Sequence, residues 1–156
     1  MHTAEYWGNF VPQIPYQAMM RFTKRGELVI DPFVGLGTTL IEAVRLGRSA
    51  IGVDLQPYCV EQIRWRVNML PNPHDVRVEV LLGDSTQVDT RERVRCLMKE
   101  WGYDRAHLLI LHPPYHDIIR FSDDARDLSN AADEASFLSA FEQVVVNFSE
   151  LLEEGR

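Results

Sequence analysis

The sequence predicts an α/β fold: a parallel sheet with helices wound over both faces. Two observations carry that expectation. Short apolar runs at 28–30, 50–53, 76–82 and 108–111 alternate with segments of helical periodicity, which is the pattern of a parallel sheet with crossover helices. The first run also leads into Asp31-Pro32-Phe33-Val34-Gly35-Leu36-Gly37-Thr38-Thr39, a turn with two glycines that opens a helix. A strand, a glycine turn and a helix N-terminus in succession form the nucleotide crevice of doubly wound folds. The 156 residues suit one domain, and 46% hydrophobic residues suffice for a real core.

Residues 1–16 gather Tyr6, Trp7, Phe10, Pro12, Pro15 and Tyr16. Two prolines so close argue for an extended, packed arm, not a helix. A short helix over about 16–23 follows, broken by Gly26. After the glycine turn, Leu40, Ile41 and Val44 keep helical spacing until Gly47, a C′ residue. The second strand ends on Asp54, and Pro57 begins a helix marked by Val60, Ile63, Val67 and Leu70, stopped by Pro71 and Pro73. Val76, Val78, Val80 and Leu82 alternate with Arg77 and Glu79, as in a half-exposed strand near a sheet edge. Val94, Leu97, Met98 and Trp101 mark a helix closed by Gly102. The continuous run 108–111 suits a central strand covered on both faces. A polar loop over 122–133, rich in aspartate, precedes a last helix over about 134–153 with the stripe Phe137, Phe141, Val144, Phe148 and Leu151. No strand is visible after that helix, and a sheet ending at its central strand would leave an apolar edge open. The chain is therefore expected to be a fragment, or one half of a site completed by another polypeptide.

The formal net charge of -7 argues against this segment alone gripping a nucleic-acid backbone, which takes clustered Lys and Arg. Cys59 and Cys96 match no metal or redox spacing. With no basic leader followed by an apolar run and no membrane-length apolar stretch, the expected setting is the cytoplasm, away from membranes. His107, His112 and His116 with Asp117 show no chelating pair on one helix face, so no metal is expected.

The glycine turn lacks the Gly-Lys-Ser/Thr of a phosphate-cradling loop, and Leu40 stands where a dinucleotide loop needs its third glycine. By itself the glycine pair reads equally well as a structural turn. Asp54 closes the second strand, where a carboxylate can accept both hydroxyls of a ribose. Asp84 and Ser85 follow the third strand, within reach of an adenine amino group. Three acids in step with three strands mark a crevice for an adenosine-bearing ligand. The fourth strand runs into His112-Pro113-Pro114-Tyr115. Two prolines make a stiff segment whose carbonyl at Pro113 can point outward as an acceptor. Tyr115 offers a stacking face for a planar base, and a neutral His112 adds a ring-nitrogen acceptor. Two acceptors drawing on the hydrogens of an NH₂ favour a tetrahedral nitrogen able to attack an adjacent methylsulfonium in line. A plain proline turn after a buried strand is the blander alternative.

In this order the motifs resemble those of the amino-directed DNA methyltransferases (N6-adenine or N4-cytosine) that use S-adenosyl-L-methionine. The match runs from about Asn9 to Tyr115. The resemblance implies a Rossmann-like methyltransferase fold with sheet order 3-2-1-4, apparently incomplete at its C-terminus. It divides the chain into an arm (1–26), a cofactor-binding core (27–115) and a loop with helix (116–156). It further implies that Phe10 and Pro12 of the arm pack against the methionine end of the cofactor. Asp31, Pro32, Phe33, Gly35, Gly37, Thr38 and Thr39 would form the main cofactor loop, Asp54 hold the ribose, and Asp84 with Ser85 the adenine. His112, Pro113, Pro114 and Tyr115 would be the catalytic tetrapeptide, orienting a flipped base. Two departures stand out. The family usually begins the tetrapeptide with Asp, Asn or Ser, and the target-recognition region expected after it is absent. DNA is then the partner, held largely through regions outside this chain, with a homodimer or a complementing C-terminal polypeptide completing the site and a restriction-modification setting implied. The chain alone is expected to bind cofactor weakly and methylate DNA poorly. An RNA or protein amino methyltransferase, a non-catalytic remnant and a dinucleotide oxidoreductase are the competing readings.

Overall fold

The computed structural model describes residues 11–116, 118 and 120–155. Phe10, Asp117 and the rest of the aromatic-rich start lie outside that range. Four parallel strands form the sheet: β1 (Leu28–Asp31), β2 (Ser49–Asp54), β3 (Val78–Leu82) and β4 (Leu108–Leu109), in the order β3-β2-β1-β4. This is the expected order. In register, Asp31 lies opposite Gly52 and Asp54 opposite Leu82, so the acids stand at one edge.

The helices are α1 (Gln13–Phe22), α2 (Thr38–Leu46), α3 (Pro57–Asn68), α4 (Val88–Glu100) and α5 (Glu134–Ser149). Because side chains alternate along a strand, β1 serves two cores. Val29 packs with Met19, Leu40, Val60 and Ile63 beneath α1–α3. Leu28 and Ile30 pack with Val94, Met98, Val144 and Phe148 beneath α4 and α5. Among the described residues, no helix is long and apolar enough to cross a membrane.

Three local expectations are corrected. The prolines do not keep residues 12–16 extended: Pro12 is the N-cap of α1 and Pro15 lies buried in its first turn. Helix N–H groups of the first turn have no intrahelical acceptor, so proline removes nothing there. The helix thus starts three residues earlier than the prolines suggest. The run 108–111 is not a strand covered on both faces. Only two of its residues pair, Val29 with Leu108 and Ile30 with Leu109, and all four stay half-buried. Finally, α5 stops at Ser149, and the chain then turns back to meet Ala106, just before β4, in one parallel bridge. Leu152 bridges Ala106, with Ala106 N–H donating to Leu151 O (2.8 Å) and Glu153 N–H to Ala106 O (2.9 Å). A single bridge thus brings the chain after α5 back beside Ala106, and among the described residues no strand follows α5.

The amino edge of the sheet is closed by polar contacts. Arg48, buried at the start of β2, donates to Thr23 Oγ1 (3.0 Å), Thr23 O (2.8 Å) and Leu46 O (2.6 Å), tying α1 to the β2 entry. Tyr103 Oη donates to Gly26 O (2.5 Å), and His107 Nδ1 accepts the Leu28 N–H (3.1 Å).

Candidate functional site

At the carboxyl edge the strand ends surround an open cavity. Pro32, Phe33 and Gly35 line it from β1, Asp54, Leu55 and Gln56 from β2, and Gly83, Asp84, Ser85 and Thr86 from β3. His112, Pro113, Pro114 and Tyr115 come from the end of β4. The cavity thus brings Asp54, Asp84 and the tetrapeptide to one space.

The first loop is shaped from beneath. Asp31 is fully buried, its Oδ1 accepting the Phe33 N–H (3.0 Å) and its Oδ2 the Thr39 hydroxyl (2.5 Å). Gly37 caps α2 with φ +85°, and a Cβ there would sit 3.0 Å from Ile63 Cγ1, so any side chain would strain both backbone and packing. Asp31 and Thr39 therefore brace the loop from beneath, and Asp31, Gly37, Thr38 and Thr39 are not among the residues that line the cavity. Pro12, at the head of α1, does not line it either.

Asp54 is held by backbone donors on both sides: Gly35 N–H to Oδ2 (2.9 Å) and Gln56 N–H to Oδ1 (2.8 Å). Cys59 adds a side-chain hydrogen bond to the same carboxylate, and a carboxylate is an acceptor through both oxygens, as two vicinal hydroxyls require. Burial pushes Asp54 up to about 6 against the opposing pull of its hydrogen bonds, and Asp127 across the cavity adds repulsion. Asp31 is likewise pushed up to about 6, chiefly by burial.

Asp84 Oδ1 accepts from the Thr86 N–H (2.9 Å) and hydroxyl (2.7 Å), forming a local turn at the cavity wall. Ser85 is mostly committed elsewhere: its hydroxyl donates to Pro32 O (2.8 Å), and its carbonyl accepts from Asn147 of α5 (3.1 Å). It ties the β3 turn to the first loop and to α5, so its side chain acts as a strut.

In the tetrapeptide, His112 Nε2 lies 3.0 Å from Tyr115 Oη, with the two rings edge-to-face at 5.7 Å between centroids. Burial pushes the His112 imidazole below its ordinary value, keeping it neutral near pH 7. An aromatic series buttresses this region: His116 packs on Phe137, Phe137 on Phe141, and Phe141 on Phe33 of the first loop.

Sequence reasoning missed one whole wall. Phe121, Arg126, Asp127 and Leu128 from the loop after the tetrapeptide also line the cavity. That loop is internally fastened. Asp127 accepts from Ser122 Oγ (2.6 Å), Ser129 N–H (2.9 Å) and Ser129 Oγ (2.8 Å), and Asn130 donates to the carbonyls of Ser122 and Asp124. The available signal was the Ser-x₄-Asp-x-Ser-Asn pattern, whose short polar side chains favour such turns. Among the described residues, no group of three or more His, Cys, Asp or Glu side chains is placed to hold a metal.

Residues 9–64 match the family model described as DNA methylase. Among curated relatives, the Type II methyltransferase M.MjaII of Methanocaldococcus jannaschii is 40% identical over 53 residues, covering 34% of this chain and 10% of that protein. The Type II methyltransferase M2.DpnII of Streptococcus pneumoniae is 47% identical over 45 residues, covering 29% and 17%. The chain thus spans less than a fifth of the length of either relative. Among solved structures, a SAM-dependent methyltransferase from Thiobacillus denitrificans in complex with S-adenosyl-L-homocysteine superposes with TM-score 0.54, covering 97% of this chain and 49% of that one at 18% identity. That likeness establishes the Rossmann-like fold. The match to the DNA methylase model spans the arm, the glycine turn and the second strand, the segment whose motifs carry the resemblance.

Proposed function

We propose that this chain carries the cofactor-binding and catalytic face of an S-adenosylmethionine-dependent methyltransferase acting on an exocyclic amino group of adenine or cytosine in DNA. The observation that carries the reading is the shared cavity. The Asp54 carboxylate and His112-Pro113-Pro114-Tyr115 face the same space. The relatives named as Type II methyltransferases and the solved methyltransferase with S-adenosyl-L-homocysteine support it.

The residues present fit the cofactor. Asp54 takes the ribose hydroxyls, and Asp84 faces the adenine amino edge. Phe33, Leu55 and Leu128 supply apolar walls, and Gly35 lets the backbone approach closely. When bound, the cofactor supplies an electrophilic methyl group carried on sulfur. The chain's own work is then positional. Tyr115, which keeps 46% of its surface exposed, offers a ring to stack on a base taken out of the duplex. His112 and the Pro113 carbonyl accept from the amino hydrogens and fix the nitrogen's lone pair toward the methyl donor. Ser85 and Asn147 hold the walls in register. The DNA-gripping surface lies outside this acidic chain, with a second polypeptide or second copy completing it.

Calorimetric titration with S-adenosyl-L-homocysteine tests the reading, together with radiolabelled methyl transfer to DNA, tRNA and protein offered in parallel. Saturable 1:1 binding and label in DNA amino groups are expected. Label confined to tRNA or protein would move the substrate class, and absence of saturable binding would overturn the reading.

A further inference from the structure

The loop after the tetrapeptide gives the cavity a wall and a permanent cation. We infer that Arg126 is a cofactor-binding residue: its guanidinium, pinned by Asp124, closes over the face of the adenine ring whose amino edge Asp84 receives. The inference rests on the proposed cofactor reading and deepens it by assigning a face of the purine.

The Arg126 side chain is held without any ligand. Its Nε–H donates to Asp124 Oδ1 (3.0 Å) and its Nη2–H to Asp124 Oδ2 (2.6 Å), a two-point fork. The Arg126 backbone N–H donates to the same Oδ1 (2.9 Å). Asp124 is held in turn: its carbonyl accepts from Asn130 Nδ2 (2.8 Å), and its N–H donates to Ser122 Oγ (3.3 Å). An arginine whose side chain is 61% exposed would otherwise sample many rotamers. Two parallel N–H···O bonds engage one edge of the guanidinium and leave both flat faces clear. Such a face is a stacking platform for a nucleobase.

Position selects the base. Among the described residues lining the cavity, Arg126 is the one lysine or arginine, and Phe121 and Leu128 of the same loop line it as well. The Asp124 hydrogen bond raises the Arg126 guanidinium above its ordinary value, and the charge of Asp84 adds to that. Asp84, at the end of β3, is thus within electrostatic reach of the cation. The two groups then divide the work. An ionised Asp84 can only accept, which suits an adenine amino group, and Arg126 brings positive charge to the electron-rich face of the ring. An anionic ligand group is less well served, because the Asp124 carboxylate already meets the guanidinium's charge.

The test titrates the full 156-residue chain with two ligands by calorimetry. One is S-adenosyl-L-homocysteine; the other is 5′-methylthioadenosine, which keeps the adenosine and lacks the amino-acid carboxylate. Arg126→Ala should weaken both by a similar factor, ~3–30-fold, the worth of a cation on a ring. In the wild type, saturation with methylthioadenosine should move the Arg126 Nε–H resonance upfield through the ring current of adenine. A residue that only fastens the loop would show no such shift. Amide shifts of Ser129 and Asn130 in ligand-free Arg126→Ala should match the wild type; if they do not, the wild-type Nε–H result decides. Affinity lost for S-adenosyl-L-homocysteine alone would seat the amino-acid carboxylate on Arg126 and overturn the assignment. Unchanged affinity for both ligands, or an Nε–H resonance unmoved at saturation, would overturn it as well, and would leave the proposed function standing. A wild-type chain that binds neither ligand overturns both.

Discussion

The two edges of this sheet use their polar residues in opposite ways. At the amino edge Arg48, Tyr103 and His107 are turned to the chain's own backbone. Arg48 reaches the carbonyls of Thr23 and Leu46, Tyr103 that of Gly26, and His107 the N–H of Leu28. At the carboxyl edge, Asp54, Asp84 and Asp127 take backbone or hydroxyl donors yet still face a cavity. A polar group matched within the fold stabilises it, whereas one that faces a cavity with capacity left over costs stability until a ligand arrives. The amino edge holds the sheet together; the carboxyl edge is where it can act.

The contrast can be tested by mutation. The largest effect belongs to Arg48→Ala. Losing charged donors to buried carbonyls should cost ~3–5 kcal/mol in urea unfolding, while ligand affinity of the folded fraction stays unchanged. A comparable loss of affinity would mean that the edges are coupled.

Next comes pH. Asp31 and Asp54 both sit near 6 in the folded chain, against 3.8 as the ordinary value. Between those values the folded state binds more protons than the unfolded state. Stability contributed by the protonated acids is therefore present at pH 4 and lost as pH rises to about 6. Unfolding free energy should fall over that window, by at most ~2–3 kcal/mol per carboxyl, and Asp31→Asn should remove part of the slope. A flat profile would show that these acids are better solvated than their burial indicates.

Asp54→Ala should weaken S-adenosyl-L-homocysteine binding by ~10–100-fold, the worth of hydrogen bonds to a charged acceptor, without lowering the melting temperature at pH 7.5. The smallest effect is Tyr103→Phe, which leaves the Gly26 carbonyl short of a donor at a cost of ~1 kcal/mol, measured by thermal melting, with ligand affinity intact.

Much of this edge division was legible in the sequence. Apolar runs closed by Asp31, Asp54 and Asp84 placed three acids on one edge, because parallel strands all end on the same side. The helix following Gly37 and the edge position of β3 followed from local chemistry and alternation. What escaped depended on tertiary partners. Asp31 and Thr39 look like ligand residues in a motif, yet they satisfy each other beneath the loop. Ser85 looks like an adenine contact, but the Pro32 carbonyl lies within its reach. The prolines at 12 and 15 look like breakers in sequence because their place in the first helical turn is a matter of register. The run 108–111 looks central because its apolarity does not reveal how much of it is covered. The wall carrying Phe121 and Arg126 was invisible, since a loop's own composition does not say what it folds against.

The central claim is that the carboxyl edge, centred on Asp54, is a cofactor site. Amide NMR of the 156-residue chain titrated with S-adenosyl-L-homocysteine tests it most directly. The account predicts saturable shifts at Gly35, Gln56 and Thr86, little change at Leu28 and Arg48, and loss of saturation in Asp54→Ala. Shifts centred on the amino edge, or saturation that survives Asp54→Ala undiminished, would contradict it.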